Sequence, residues 1–156
     1  MTITPRQKSP RELLGPSEFS SEGFLGTDSR EPEDIIKEDL AALLQLGMTK
    51  EKLAAALREI YVKAERALGN PLPLLEKVTV VHVEARGRIP SPFSGDGTFQ
   101  KGQAKIMDAA TGEALLITPL SIHLIEKHGF FQGKGSKYRI EPEAAARVMN
   151  HLTIAK

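Results

Sequence analysis

Two segments in the first half of the chain repeat apolar residues at the spacing of an amphipathic helix. The first stripe consists of Ile36, Leu40 and Leu43, and the second of Leu53, Ala56, Leu57, Ile60, Ala64, Ala67 and Leu68. Pro32 and the carboxylates beside it favour a helix start, Gly47 favours a helix end, and Thr49 can cap the next helix. The pattern predicts two antiparallel helices, the first ending near Leu46 and the second before Gly69.

The apolar period changes from near four to two after residues 71–73, which we interpret as a linker. Residues 78–89 are rich in β-branched side chains, with Val81, Val83 and Ala85 on one face and Val80, His82, Glu84, Arg86 and Arg88 on the other. We expect the first of these faces to be buried and the second to face solvent. Prolines and glycines between positions 90 and 97 predict an irregular loop. Residues 102–107 and 113–117 flank a turn that ends in Gly112, which predicts a hairpin within a small antiparallel sheet.

Helical signals return in the C-terminal third of the chain. Thr118 and Pro119 open a helix that ends at His128 with Gly129 as its stop, and Pro142 opens a last helix. Between these helices, residues 130–136 are predicted as a loop and residues 137–140 as a short extended piece. The predicted fold is α+β, with an N-terminal helix pair packed on a small antiparallel sheet and two short C-terminal helices.

Residues 1–29 are dense in proline, glycine and serine and sustain no apolar period. We interpret them as a flexible N-terminal arm and assign residues 30–156 to a single α+β domain. The arm is more apolar than a plain linker needs, since it contains Leu13, Leu14, Phe19, Phe24 and Leu25. We therefore expect it to lie along its own domain rather than along a partner, because intramolecular docking has a high effective concentration.

Composition supports an ordinary globular protein, because 40% of the 156 residues are hydrophobic, 26% are charged and the formal net charge is +1. No window approaches the roughly 20 apolar residues of a membrane-spanning helix. We expect no secretory leader and no membrane partner, hence a soluble, cytoplasmic protein. The absence of cysteine excludes disulfides, thiol nucleophiles and thiolate metal ligands.

A basic loop at residues 133–139 is the first candidate site. Its candidate ligand-binding residues are Lys134, Gly135, Lys137 and Arg139, with help from Arg86 and Arg88 on the predicted strand. Glycine lets backbone amides approach a phosphate, and the basic side chains supply positive charge. The loop has neither the spacing of a phosphate-binding loop nor the dinucleotide fingerprint, and a solvated turn is the alternative interpretation.

The second candidate is the row of polar side chains on the predicted outer face of the strand. His82, Glu84, Arg86 and Arg88 are two residues apart and share that face. Such a row is suited to binding an anion or to positioning a general base. Adjacent opposite charges on an exposed strand also protect a sheet edge from aggregation, which is the structural alternative.

The third candidate is the pair His123 and His128, in the stretch Leu-Ser-Ile-His-Leu-Ile-Glu-Lys-His over residues 120–128. This stretch resembles the helical half of a two-Cys, two-His zinc finger, but Ser91 and Ser94 stand where a Cys-x-x-Cys pair would lie. Serine is a poor zinc ligand, and a five-residue step separates two imidazoles by about 140° around a regular helix. We expect no metal and no cofactor, with His128 serving as a favourable group at a helix C-terminus.

No motif indicates a particular reaction, because the chain has no nucleophile elbow, no His-Glu-x-x-His pair and no glycine-rich nucleotide loop after a strand. The sequence favours a non-catalytic binding or interaction protein, with a protein partner or a homodimer formed through the helix pair. Weak nucleic-acid or phosphate-ligand binding through residues 133–139 is one alternative. A small enzyme that uses His82, Glu84 or His123 is another.

Overall fold

A computed structural model describes residues 23–154, and four helices lie within that range. They are α1 (Pro32–Gln45), α2 (Lys50–Arg66), α3 (Pro119–His128) and α4 (Pro142–Ile154). Thr49 caps α2 by accepting a hydrogen bond from the Lys52 amide at 3.2 Å, and Thr118 and Ser121 form a capping box at the start of α3. The predicted helix pair and both predicted C-terminal helices are confirmed. Within the same range, no helix is long and apolar enough to cross a membrane.

Six short strands lie between the two helix pairs. They are β1 (Leu72–Leu75), β2 (Val78–Val83), β3 (Arg88–Pro90), β4 (Thr98–Gln100), β5 (Gln103–Asp108) and β6 (Glu113–Ile117). Four of them form an antiparallel sheet in the order β1-β2-β5-β6, while β3 and β4 pair with each other in a separate hairpin. The α+β fold and the predicted β5–β6 hairpin are confirmed.

Three segments differ from the prediction. Residues 71–73 are not a plain linker, because Leu72 and Pro73 belong to β1, an edge strand where a proline without an N–H is tolerated. The segment predicted as an irregular loop contains the β3–β4 hairpin, in which Pro90 pairs with Thr98. Residues 137–140 contain a turn instead of an extended strand.

Strand β2 buries the face opposite to the one predicted. Val78, Val80 and His82 are 0%, 0% and 4% exposed, whereas Val83 is 54% exposed. The prediction that His82 faces solvent is therefore wrong. Valine occurs on both faces of β2, so alternation identifies the strand without identifying its inner side. The inner face carries a histidine because that imidazole has a hydrogen-bond partner in Tyr61 of α2.

The helix pair packs on the four-stranded sheet, chiefly through α2. Leu53, Leu57 and Ala64 of α2 have no exposed surface and join one core cluster with β2, β5, β6 and α4. The apolar stripe of α2 is therefore used inside the chain. A homodimer formed through the helix pair would have to use outward side chains such as Leu44, which is 67% exposed.

A second, smaller apolar cluster joins the start of the described chain to the C-terminal part. It consists of Leu25, Ile35, Leu120, Leu124 and Phe130, with partly buried side chains around them. Backbone hydrogen bonds reinforce the contact, because the Gly133 amide donates to the Phe24 carbonyl at 2.8 Å and the Thr27 amide donates to the Lys134 carbonyl at 3.0 Å. Residues 23–29 of the predicted arm therefore pack on the domain, while residues 1–22 lie outside the described range.

Candidate ligand-binding cleft

A cleft of about 450 Å³ opens where the end of β2 meets the start of β5. Its floor consists of Tyr61 from α2, His82 from β2 and Gly102, all of which are buried. Glu65, Glu84, Arg88 and Gln100 are among the residues that form its walls and rim. The cleft therefore combines a buried polar floor with a charged rim, a common arrangement in sites for small molecules.

The floor is organised by a hydrogen bond between two aromatic side chains. The hydroxyl oxygen of Tyr61 lies 2.9 Å from Nε2 of His82, and the two rings are nearly perpendicular with centroids 5.0 Å apart. Gly102 is required for this arrangement. A Cβ atom at position 102 would lie 2.6 Å from the Tyr61 hydroxyl oxygen and 3.1 Å from His82 Nε2, so the absence of a side chain leaves room for both polar atoms.

Acidic side chains give the floor a negative electrostatic environment. Burial raises the pKa of Tyr61 to about 12, and the nearby charges of Glu65 and Glu84 add to the shift. Tyr61 is consequently neutral at physiological pH and can donate its proton in a hydrogen bond. Arg88 brings one positive charge to the rim, where its Nε donates to Thr98 Oγ1 at 2.8 Å.

The cleft brings together three of the residues that the sequence placed on one strand face. His82 lies on the floor, and Glu84 and Arg88 lie on the wall, although they follow β2 instead of sharing one regular strand with it. Arg86 is exposed and does not line the cleft.

Sequence reasoning missed two floor residues. Tyr61 follows Leu57 by four residues and lies on the buried face of α2, and Gly102 immediately precedes β5. The available signals were a tyrosine at helical spacing from the apolar residues of α2, whose hydroxyl needs a partner when it is buried, and a glycine at the start of a strand.

The basic loop is held by contacts to the N-terminal part of the described chain. The Lys134 amide donates to Asp28 Oδ2 at 3.1 Å, and Gly135 adopts a φ of +87° where a Cβ atom would lie 2.5 Å from Thr27 Oγ1. The glycine therefore serves a close backbone approach within the protein. Lys134 and Lys137 expose their side chains, and Lys137 Nζ lies 5.3 Å from the centre of the Tyr138 ring.

Arg139 does not extend from this loop towards solvent. Its side chain is 5% exposed, and its guanidinium nitrogens donate to both carboxylate oxygens of Asp39, at 2.8 and 3.0 Å. It also donates to Glu141 and to the backbone carbonyl of Gln132. The donors of Arg139 are thus used inside the fold, and the predicted contact with a phosphate would require Arg139 to leave Asp39.

His123 and His128 converge instead of diverging. Their ring centroids are 6.0 Å apart, and both Nε2 atoms contact the carboxylate of Asp96 in the β3–β4 hairpin. The angle of 140° expected around a helix ignores side-chain torsions, which turn both rings towards the hairpin. Burial alone would raise the pKa of Asp96, but hydrogen bonds from His128, His123, Lys127 and Ser91 hold that pKa well below its usual range.

No protein-family model, curated protein or solved structure matches this chain.

Proposed function

We propose that this protein is a non-catalytic binding protein whose cleft takes a small polar molecule with a cationic group. The observation that carries the proposal is the buried Tyr61–His82 pair, which forms the floor of a cleft flanked by Glu65 and Glu84. A volume of about 450 Å³ lies within the usual size of small-molecule sites, about 300 to 1,000 Å³.

The charges around the floor favour an amine over a phosphate. Glu65 and Glu84 both act electrostatically on the Tyr61 hydroxyl, so a cationic group placed near that hydroxyl would be attracted. A phosphate would be repelled by the same two carboxylates. Arg88 offsets only part of that repulsion, because it brings one positive charge against two carboxylates.

Nucleic-acid or phosphate binding through residues 133–139 has less support than the cleft. Of the basic side chains proposed for that loop, Lys134 and Lys137 are exposed and Arg139 is paired with Asp39. Two lysines would make the affinity depend only weakly on salt. A plot of the logarithm of the binding constant against the logarithm of the salt concentration would have a slope of about −2.

The test is a fragment screen by ligand-observed NMR, using small primary amines, carboxylates and phosphates on the full chain. We expect amines to bind preferentially. Gly102→Ala should abolish binding because the new methyl group fills the floor, and Glu84→Gln should weaken it by roughly 2- to 5-fold through loss of one exposed charge. Ala41→Ser, an exposed position on α1 outside the cleft, is the control.

Two results would contradict the proposal. One is a preference for phosphates over amines. The other is amine binding that survives Gly102→Ala while circular dichroism shows the variant to be folded, because the ligand would then bind elsewhere.

A further inference from the structure

A cluster of one carboxylate and two imidazoles joins the β3–β4 hairpin to the end of α3. Asp96 lies in the hairpin loop, and its side chain is 2% exposed. His123 and His128 lie on α3, with side chains 18% and 21% exposed. The ligand atoms of the three residues all lie within 4.8 Å of one another. The carboxylate is thus buried while both imidazoles reach the surface.

Three hydrogen-bond donors crowd a single carboxylate oxygen in this cluster. Asp96 Oδ2 lies 2.9 Å from His123 Nε2, 2.7 Å from His128 Nε2 and 2.9 Å from the hydroxyl oxygen of Ser91. One carboxylate oxygen offers about two lone-pair sites. The other oxygen, Oδ1, lies 3.0 Å from Lys127 Nζ. A cation in place of the two imidazole protons would relieve this crowding, because each Nε2 would then present a lone pair.

We propose that Asp96, His123 and His128 bind a divalent first-row transition-metal ion such as Zn²⁺, with water completing the coordination. Two ligands of one tetrahedral zinc ion lie roughly 3.3 Å apart, given bond lengths of about 2.0 to 2.2 Å. The separations of 2.9 and 2.7 Å between Asp96 Oδ2 and the two Nε2 atoms would therefore open by only a few tenths of an ångström. The ion would tie the hairpin to α3.

The donor atoms determine the class of metal. Two imidazole nitrogens and one carboxylate oxygen suit zinc and its first-row neighbours, whereas calcium and magnesium prefer oxygen ligands alone. The set contains no thiolate, so it differs from the two-Cys, two-His arrangement that the helix alone resembles. Three protein ligands leave at least one coordination position for water.

Aromatic contacts fix both imidazoles in place. Phe93 stacks on the His128 ring with centroids 3.9 Å apart and an interplanar angle of 17°. Phe99 lies against the His123 ring at 4.6 Å. Rings that are already held in position lose little rotational freedom when they bind an ion, so the site is preorganised.

The test is a zinc titration of the untagged full chain after treatment with a chelator, in competition with a chromogenic zinc indicator. We expect one zinc ion per chain and no comparable binding of Mg²⁺. Replacing a residue that only orients a metal ligand lowers metal affinity by about 10- to 100-fold. His123→Gln, His128→Gln and Asp96→Asn each remove a ligand itself, so each should lower zinc affinity by at least about 100-fold.

A second histidine–aspartate pair provides the matched control. His151 Nδ1 lies 2.9 Å from Asp108 Oδ2, and no other histidine shares that carboxylate among the described residues. His151→Gln should leave zinc affinity unchanged. On the wild-type chain, zinc should shift the side-chain nitrogen resonances of His123 and His128 but not those of His151, which tests the site even where a variant fails to fold.

Either of two outcomes would overturn the proposal. The first is that the wild-type chain binds no more zinc than His123→Gln does. The second is that the zinc-induced NMR shifts fall on His151 or are spread equally over the histidines.

Discussion

The guanidinium of Arg139 illustrates how a charged side chain can be part of the interior. It contacts Asp39, which is 7% exposed, and Glu141, which is 57% exposed. The same cation thus has one buried and one exposed carboxylate partner. Removing the carboxylate from a buried ion pair costs more stability than removing it from an exposed pair. In the exposed pair, water can replace the lost partner, whereas in the buried pair it cannot.

This contrast gives a prediction with an internal control. Asp39→Asn should lower the free energy of unfolding by about 3 kcal/mol or more, because it leaves a buried cation without its buried counter-charge. Glu141→Gln should cost about 1 kcal/mol or less, as for other exposed ion pairs. Urea denaturation of both variants measures the difference. Equal losses would show that Arg139 is far more solvated than its 5% exposed fraction indicates.

The roles of Arg139 and Gly135 could not be inferred from sequence. A Gly-Lys-Gly-Ser-Lys-Tyr-Arg stretch has the same composition whether its glycines approach a phosphate or another part of the chain. Here Thr27 approaches Gly135, and Asp39 approaches Arg139 from a residue 100 positions earlier in the sequence. Both partners are set by tertiary contacts that composition does not encode.

At the scale of elements, the sequence predicted helices better than strands. The start and stop of α3 follow from local chemistry, since Thr118 caps the helix and Gly129 ends it with a φ of +64°. The inner face of β2 depends instead on which side α2 covers. The β3–β4 hairpin was missed because each strand has three residues and Pro90 lies in one of them. That hairpin carries Asp96, so the histidine cluster was missed with it.

The packed segment before α1 also yields a prediction. Leu25 is 4% exposed within the smaller apolar cluster, and replacing such a leucine by alanine costs about 2 to 5 kcal/mol. We expect Leu25→Ala to lower the free energy of unfolding by that amount.

A chain that starts at residue 30 should lose several degrees in melting temperature relative to one that starts at residue 23, because only the shorter chain lacks Leu25 and the backbone hydrogen bonds of Thr27.

Calorimetry of the two truncated chains and of Leu25→Ala would measure these effects. Equal melting temperatures for the two truncations would mean that residues 23–29 contribute nothing to the domain, as expected of a flexible arm. Val83→Ala, at a position 54% exposed, is the control for the loss of a hydrophobic side chain at the surface.

For the molecule as a whole, buried carboxylates link stability to pH. The Arg30 side chain is the main cause that holds the pKa of Asp28 well below its usual value of 3.8, and the Lys134 amide contributes. Burial alone would raise the pKa of Asp108, but the hydrogen bond from His151 and those from the Ala110 and Thr111 amides lower it below the same value. Both groups are therefore expected to bind protons less readily in the folded state than in the unfolded state.

Stability should accordingly fall as the pH drops below the usual aspartate pKa of 3.8. In that range the unfolded chain binds protons before the folded chain does. The stabilisation is therefore fully present above the pKa of the unfolded state and is lost as the pH approaches the pKa of the folded state.

Asp28→Asn should destabilise the protein by about 2 kcal/mol near pH 6, and this difference from the wild type should shrink towards about pH 2.5. Urea denaturation across that range measures it, with Ala41→Ser as a control that adds no acidic group. A deficit that stays constant with pH would trace the effect of Asp28→Asn to lost hydrogen-bond geometry instead of charge.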